Sequence, residues 1–463
     1  MSLGGSITQR IAVVAAGLLL AVMAGCALLM GLSPPAATAA APGDASHLGV
    51  ASCSGSTCHG RQEADGKIVR QDELMRWQEP STPGGAHSRA FAVLSSARSA
   101  QIAGRLGIGS ATSAPMCLGC HSAPASQRGP RFQVSDGVGC ETCHGGASGW
   151  LAGHYAVGTS HQRNVSMGMI PLENPRARAA VCLDCHFGSA DDGQFVNHRI
   201  MAAGHPRISF ELDLFSTLQQ HHDEDGDYVA RKGRTSNVRF WAVGQAMALE
   251  RALGLYQNAK RGQEGVFPEF YFFDCHTCHR RIYDKEEAVS TVVRNPARPI
   301  PEGMPAFNDE NMIMLSAAAR VAAPGLAKQF DADSRAFHTA LGQDRAAAVA
   351  AAGKLRADAN ALATAFSGTA FSRAETFAII ETIASEAITP RFTDYEGSVQ
   401  SVMAVDTLLN ALVNAGQVSG GAAAGIRGNI NAAYDAVNDP NDYRPLEFRR
   451  ALGSAVRTIR TLK

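Results

Sequence analysis

The chain has 463 residues, and its 42 basic and 42 acidic side chains give a formal net charge of zero at neutral pH. This length allows two or three domains, and the balanced charge, without a long basic or acidic block, gives no indication of a nucleic-acid partner. The unusual feature of the composition is its 11 cysteines.

An apolar segment near the N-terminus predicts export. Residues 11–32 contain no charged side chain and are numerous enough to span a bilayer, so they can act as a membrane anchor. Alternatively, Ala-Thr-Ala at 37–39 is a cleavage site. Residues 23–26 also resemble a lipoprotein box, although the apolar run continues past Cys26. We therefore expect residues 1–41 to be a signal peptide or an N-terminal membrane anchor, and the rest of the protein to be periplasmic.

Ten of the 11 cysteines lie in five short motifs that each end in Cys-His. The first motif, residues 53–59, reads CSGSTCH and has two more residues between its cysteines than the others. The other four have the form C-x-x-C-H and occupy residues 117–121, 140–144, 182–186 and 275–279. We number the motifs 1 to 5 in chain order.

C-x-x-C-H is the attachment sequence of c-type haem. Each cysteine sulfur bonds to one vinyl group, and the histidine that follows binds the iron from one side of the ring. The wider loop of motif 1 keeps the Cys-His ending. The sequence therefore predicts five covalent haems, attached through Cys53, Cys58, Cys117, Cys120, Cys140, Cys143, Cys182, Cys185, Cys275 and Cys278. The predicted iron ligands within the motifs are His59, His121, His144, His186 and His279.

Other uses of paired cysteines explain this pattern less well. A zinc site takes four ligands and does not need a histidine after every second cysteine. A thioredoxin-like redox motif occurs once, beside a βαβ pattern. Structural disulfides would not repeat one spacing and one following residue. For motif 1 alone, a disulfide between Cys53 and Cys58 remains the alternative if no haem is attached there.

The second axial ligand of each iron has to come from elsewhere in the chain, or that position stays open. Ten histidines remain, so their number does not show whether an iron stays five-coordinate. The favoured second ligands are His87, His154, His198, His205 and His222. His221 and His222 are adjacent, so the backbone directs at most one of them to a given iron. The reserves are His47, His161 and His338, and His276 is a poor candidate because it lies inside motif 5.

Two of these candidates lie close together in FVNHRIMAAGHPR. If His198 and His205 share one helix, two turns separate them, which suits ligands of two different haems. Pro206 disfavours a helical conformation for His205. We therefore expect His205 just beyond the helix end, where its ring can turn toward an iron.

The acidic stretch DEDGD at residues 223–227 has a second interpretation. Its carboxylates could bind calcium through oxygen. The glycine is misplaced for an EF-hand, and the stretch lacks the glutamate that would close such a loop. A solvated acidic turn is therefore the favoured interpretation, with calcium as the alternative.

The chain divides by composition into two parts. Residues 42–300 hold every motif and 14 of the 15 histidines, and we predict a pentahaem cytochrome c domain with short helices that stays compact only around its haems. Residues 301–463 contain no cysteine and predict a helical bundle. Its expected helices are an alanine-rich segment at 344–366, one capped by Ser372 and Glu375, one from Ser398, and one from Pro445. The predicted fold class is mainly α.

The sequence resembles the multihaem cytochromes of the cytochrome c-554 type, a group related in haem arrangement to hydroxylamine oxidoreductase and pentahaem nitrite reductase. The resemblance rests on GVGCETCHG at 137–145, on CLGCHSAP, on CLDCH and on AHSRA around His87, and covers about residues 48–280. It implies closely stacked haem pairs, and His87 and His154 as second ligands. Motif 5 and the long C-terminal part go beyond the four-haem pattern, and no C-x-x-C-K motif of the nitrite reductase occurs.

Two functions are compatible with these features. The first is electron transfer through five haems, between redox partners such as a membrane quinone-linked donor and a periplasmic protein. The second is a multihaem oxidoreductase that acts on a small nitrogen or sulfur compound at one five-coordinate haem. Nothing in the sequence selects the enzyme, so whether the protein is an enzyme stays open.

Overall fold

Helices form nearly all of the regular structure. The computed structural model describes residues 45–64, 70–262, 268–279, 295–300, 304–389 and 395–463. Within these ranges the chain is mainly α-helical, as predicted, and β-pairing is limited to isolated bridges. The segment predicted to direct export, residues 1–41, lies outside the described residues. None of the helices that the structure describes combines the length and the apolar character that a bilayer crossing requires.

The part of the chain that holds motifs 1 to 4 folds into short helices. They are α1 (Glu73–Trp77), α2 (Ala97–Leu106), α3 (Pro115–His121), α4 (Cys140–His144), α5 (Leu151–His154), α6 (His161–Ser166), α7 (Pro175–His186), α8 (His198–Ala202), α9 (Leu212–Leu218) and α10 (Gly226–Lys232). Their apolar contacts form small clusters, two of which contain only three buried residues each. Side chains alone therefore supply little core here, which leaves the interior to the cofactors.

The second half of the described chain contains the longest helices together with a few short ones. They are α11 (Asn237–Gln257), α12 (Cys275–Cys278), α13 (Glu310–Ala322), α14 (Pro324–Ala340), α15 (Arg345–Gly368), α16 (Arg373–Ala387), α17 (Tyr395–Asn414), α18 (Gly420–Ala424), α19 (Arg427–Ala436) and α20 (Pro445–Arg460). One continuous apolar core joins all of these helices except α12, with Trp241, Leu355 and Leu408 fully buried in it. Helix α11 contributes to this core from the N-terminal side of residue 300, where the sequence predicts a domain boundary.

The expected helices of the C-terminal part are present. The Ser372 side chain accepts the N–H of Glu375, and the Glu375 carboxylate accepts the N–H of Ser372 at 2.8 Å, so the predicted capping box forms. Helix α17 begins at Tyr395, three residues before the expected start, because the carboxylate of Asp274 accepts the first two helical N–H groups. This cap comes from another part of the chain, so the local sequence does not indicate it.

A buried polar network joins two segments of the bundle. The Asp309 carboxylate bonds the Arg298 guanidinium and lies 3.0 Å from Nε2 of His338. Asp309 and His338 are both almost fully buried. Burial alone would raise the pKa of Asp309, but Arg298 and His338 outweigh that effect and lower it. His338, a reserve ligand in the sequence analysis, therefore has a structural partner.

Candidate haem sites

Four of the five motifs lie on helical turns. Motifs 2, 3 and 4 form the last turn of α3, all of α4 and the last turn of α7, and motif 5 forms α12 with His279 as its C-cap. In a helix, residues three apart lie on the same face, so C-x-x-C presents both sulfurs to one haem edge. Motif 1 instead forms a turn, which accommodates its two additional residues.

Each attachment histidine faces one other histidine. The ring centroids are 6.0 Å apart for His59 and His154, 6.2 Å for His87 and His186, 6.3 Å for His121 and His205, 6.2 Å for His144 and His221, and 6.1 Å for His198 and His279. The second histidine of every pair lies far away in sequence. The fold therefore assembles five imidazole pairs with nearly the same separation.

This separation matches an iron bound between two imidazoles. A ring nitrogen lies about 1.2 Å from its ring centroid and bonds a transition metal at about 2.0 Å, so two axial imidazoles have centroids about 6.4 Å apart. The observed values of 6.0–6.3 Å agree with this geometry. Direct contact between stacked rings would bring the centroids closer, so the gaps fit haem iron.

Hydrogen bonds orient several of these rings. Nδ1 lies 3.0 Å from Glu73 Oε2 in His59 and 2.7 Å from the Ala90 carbonyl in His121. It lies 2.8 Å from the Pro206 carbonyl in His205 and 3.0 Å from the Gln219 carbonyl in His221. In His154 the partner of Nδ1 is the side-chain amide nitrogen of Asn164, at 3.3 Å. When Nδ1 carries the proton and donates it to an oxygen, Nε2 keeps a lone pair for a metal. The four rings whose Nδ1 faces an oxygen are therefore held in the form that binds iron. His154 differs, because its Nδ1 accepts from the side-chain amide nitrogen of Asn164.

Burial also favours the metal-binding state of the imidazoles. It lowers the pKa of His144 to about 3 and that of His186 to about 4. Burial likewise lowers the pKa of His87 and His205. A neutral imidazole is the form that binds a metal, so these rings require no deprotonation at neutral pH. His59 differs because its hydrogen bond to the Glu73 carboxylate raises its pKa.

The structure brings together four of the five second ligands selected from the sequence: His87, His154, His198 and His205. It differs at the adjacent pair, where His221 faces His144 and His222 lies against the ring of Tyr228. Helix α8 ends at Ala202, so His205 lies just beyond the helix, as expected. Its ring and that of His198 then face different attachment histidines.

The remaining histidines lie outside these pairs. Nε2 of His161 is 2.7 Å from Glu173, and Nδ1 of His276 is 2.7 Å from the carbonyl of Pro440. His47 packs edge-on against the ring of Phe132.

The motifs contact one another in a definite order. The Cys53 thiol of motif 1 lies near the Cys140 thiol of motif 3, which lowers the pKa of Cys53. Helix α4, which is motif 3, packs against α7, which carries motif 4. Between motifs 2 and 4, the Cys120 sulfur lies 4.0 Å from the Cys185 carbonyl oxygen. A Cβ on Gly119 would come within 2.4 Å of the Gly193 carbonyl oxygen, so glycine permits this close approach.

Three buried carboxylates support the motifs, and the sequence analysis missed them. Glu141, inside motif 3, accepts the N–H groups of Leu48, Gly49 and Ala147 at 2.7 Å each. Glu269 accepts the N–H of His198 at 2.8 Å, and Glu396 accepts that of Cys275 at 3.1 Å. Each anchors backbone next to a haem-binding residue. Of the three, only Glu141 had a signal in the sequence, because it lies inside a motif.

The structure gives no support for a calcium site at the acidic stretch 223–227, whose aspartates are engaged with other groups. Asp223 pairs with Arg76 at 2.8 Å, Asp225 caps α10, and Asp227 pairs with Arg231. Nowhere in the described ranges do three His, Cys, Asp or Glu side chains converge on a common metal position. Zinc and calcium sites require such convergence, whereas haem iron needs only two axial protein ligands, because the porphyrin supplies the other four.

In each motif a cysteine pair is followed by a histidine, and this histidine faces a second one. This arrangement defines a c-type cytochrome with covalent haem. Residues 53–145, which contain the first three motifs, match the model of the family described as "Cytochrome c554 and c-prime". Over this segment the chain is similar to the c-type cytochromes of that family, in agreement with the resemblance noted from the sequence. Comparison with curated proteins and with solved structures found no match.

Proposed function

We propose that the protein is a periplasmic cytochrome with five covalent haems, each iron bound by two histidines, that transfers electrons between redox partners. The observation that carries the proposal is the set of five imidazole pairs, with ring centroids 6.0–6.3 Å apart. Two histidines per iron leave no position open for a substrate. This supports electron transfer over the alternative, an oxidoreductase with a five-coordinate haem.

The contacts between motifs suggest the electron path. Motif 1 touches motif 3, motif 3 touches motif 4, and motif 4 touches motif 2. Motif 5 joins next to motif 2, because His205 faces His121 while Arg207, two residues later, lies 4.0 Å from the sulfur of Cys275. The haems would then follow the order 1, 3, 4, 2, 5, with the first and fifth as the two ends.

Both proposed ends are accessible to partners. Cys58 in motif 1 and Cys278 in motif 5 are the two exposed attachment cysteines, and the other eight are only partly exposed. Partners would be other redox proteins or a membrane quinone-linked donor, and the apolar segment at 11–32 would bring the protein to the periplasm or hold it at the membrane. The zero net charge makes local contacts, rather than long-range steering, the basis for partner selection.

Two measurements on the purified holoprotein test this function. The intact mass should exceed that of the mature polypeptide by five haems, and the visible and EPR spectra should show only low-spin iron. A lower haem count would refute the five-haem assignment. A high-spin fraction that binds added ligands would instead support the oxidoreductase.

A variant pair tests the ligand assignment. His205→Met should raise the potential of one haem, because a thioether stabilises ferrous iron relative to imidazole. His161→Met is the matched control, since that ring is bonded to Glu173 outside the pairs, and it should leave all potentials unchanged. Equal behaviour of the two variants would remove His205 from the ligands.

A further inference from the structure

A group of acidic side chains is buried directly beside motif 5. Both carboxylate oxygens of Glu396 accept the N–H of Cys275, at 3.1 and 3.2 Å. Arg207 lies 3.6 Å from Glu396 and 4.0 Å from Glu310, and its guanidinium stacks on the ring of Tyr271. We call Glu396, Glu310 and Arg207 the motif 5 cluster.

The motif 5 cluster is enclosed by several elements. Glu396 is 1% exposed and Glu310 is 3% exposed, so neither carboxylate reaches bulk water. The groups that face Glu396 are Arg207 from the segment before α9, Asp274 and Cys275 at α12, and its own neighbour Tyr395. The cluster therefore places two buried carboxylates around one guanidinium, with Asp274 adding further acidic character.

Such an arrangement favours binding of a proton. A second buried negative charge is costly in a medium of low dielectric constant. Burial raises the pKa of Glu396 to about 8, although the side chains of Asp274 and then Arg207 oppose the shift. Burial also raises the pKa of Glu310, again against the effect of Arg207. Near neutral pH the cluster therefore gains or releases a proton in response to a modest change in local charge.

The attached haem supplies that change. A haem with two neutral imidazoles carries one positive charge more at its iron centre when ferric than when ferrous. Cys275 would hold the haem covalently, and Glu396 contacts the backbone of this same residue. The charge of the iron therefore changes close to the carboxylate and in a poorly screened interior.

We propose that reduction of the haem at motif 5 is coupled to uptake of one proton by Glu396, so that the protein moves protons together with electrons. The proposal rests on the proposed function, because it requires a haem at motif 5. A haem held at motif 5 would supply a one-electron change, ferric to ferrous on receiving an electron from the neighbouring haem. The Glu396 carboxylate would then take one proton from water and become a carboxylic acid. On oxidation the electron would pass to the partner and the proton would return to water.

The sign of the coupling defines the measurement. Ferric iron favours the carboxylate and ferrous iron favours the acid, so the potential of this haem should fall as pH rises. The fall reaches at most about 59 mV for each tenfold change in proton concentration, the limit for one proton per electron.

The test measures proton uptake by the holoprotein during photochemical reduction of all five haems, between about pH 6 and about pH 9. Wild type should take up about one proton more than Glu396→Gln, which keeps the shape and the backbone contact. Glu211→Gln is the matched control, because Glu211 is equally buried but caps α9 and bonds Thr407. It should retain the uptake.

Two results would overturn the proposal. One is wild-type protein that takes up no protons across this range, a measurement that does not depend on any variant. The other is a Glu396→Gln variant that takes up as many protons as wild type, which would show that another group binds the proton. The haem count and spin state of the same samples report on the proposed function separately.

Discussion

Glu73 should tune the potential of the haem at motif 1. Its carboxylate oxygen lies 3.0 Å from Nδ1 of His59, on the side of the ring that faces away from the iron position. A carboxylate that accepts this hydrogen bond increases the electron density on the imidazole and stabilises ferric iron. Glu73→Gln keeps an acceptor of the same shape and removes the charge, so it should raise the potential.

The size of the shift follows from distance. With an iron–nitrogen bond of about 2.0 Å, the iron lies about 7 Å from the carboxylate oxygen. One unit charge at this distance interacts by about 2.4 kcal/mol at a dielectric constant of about 20, and by about 0.6 kcal/mol in water. The His59 side chain is 38% exposed, so screening places the value between these limits. The expected rise is about 25 to 100 mV.

A redox titration followed by EPR and visible spectroscopy measures this shift. One of the low-spin components should move to higher potential in Glu73→Gln, and the others should stay in place. Glu79→Gln is the matched control, because Glu79 follows α1 and its carboxylate bonds exposed Ser81. If no component rises by more than it does in the control, the carboxylate does not act on this haem.

Three further predictions concern single positions. His221→Ala should produce one high-spin haem in the visible spectrum and His222→Ala none; the opposite result would exchange their roles. Gly119→Ala should lower the free energy of unfolding of the holoprotein by about 1–3 kcal/mol, while Gly104→Ala, which meets no atom within 4 Å, should not destabilise it. Equal melting temperatures would contradict the close approach of motif 2 to the Gly193 backbone. Asp309→Asn should cost about 3–5 kcal/mol near neutral pH by denaturant unfolding. Because its pKa is lowered in the fold, this difference should shrink below about pH 4, and a difference independent of pH would refute the ionic role.

The attachment sites could be read from the sequence because their chemistry is local. Two cysteines and a histidine within a few residues specify one haem, whatever the surrounding fold. The helix capped by Ser372 and Glu375 was equally accessible, since a capping box involves only neighbouring residues. In both cases the side chains that interact are close in the chain.

The pairing of the histidines could not be read in this way. Which second histidine faces which motif depends on contacts between segments that are remote in sequence. The choice between His221 and His222 depends on a turn in which the Gln219 carbonyl fixes one ring. Glu396 likewise looks like an ordinary helix residue until the fold places it against Cys275. The sequence specified the chemistry, and tertiary structure decided the partners.

The five imidazole pairs also have a consequence for how the protein matures. Each pair closes a loop of about 80 to 100 residues, and four of these loops overlap the next along the chain. Closing one loop of this length in an unfolded chain costs about 4–5 kcal/mol of entropy. A haem attached early therefore has its first histidine ligand before the fold has brought its second histidine into position. Once the first histidine pairs have formed, they shorten the effective length of the loops that overlap them. The entropic cost of closing the last pairs should therefore be the smallest.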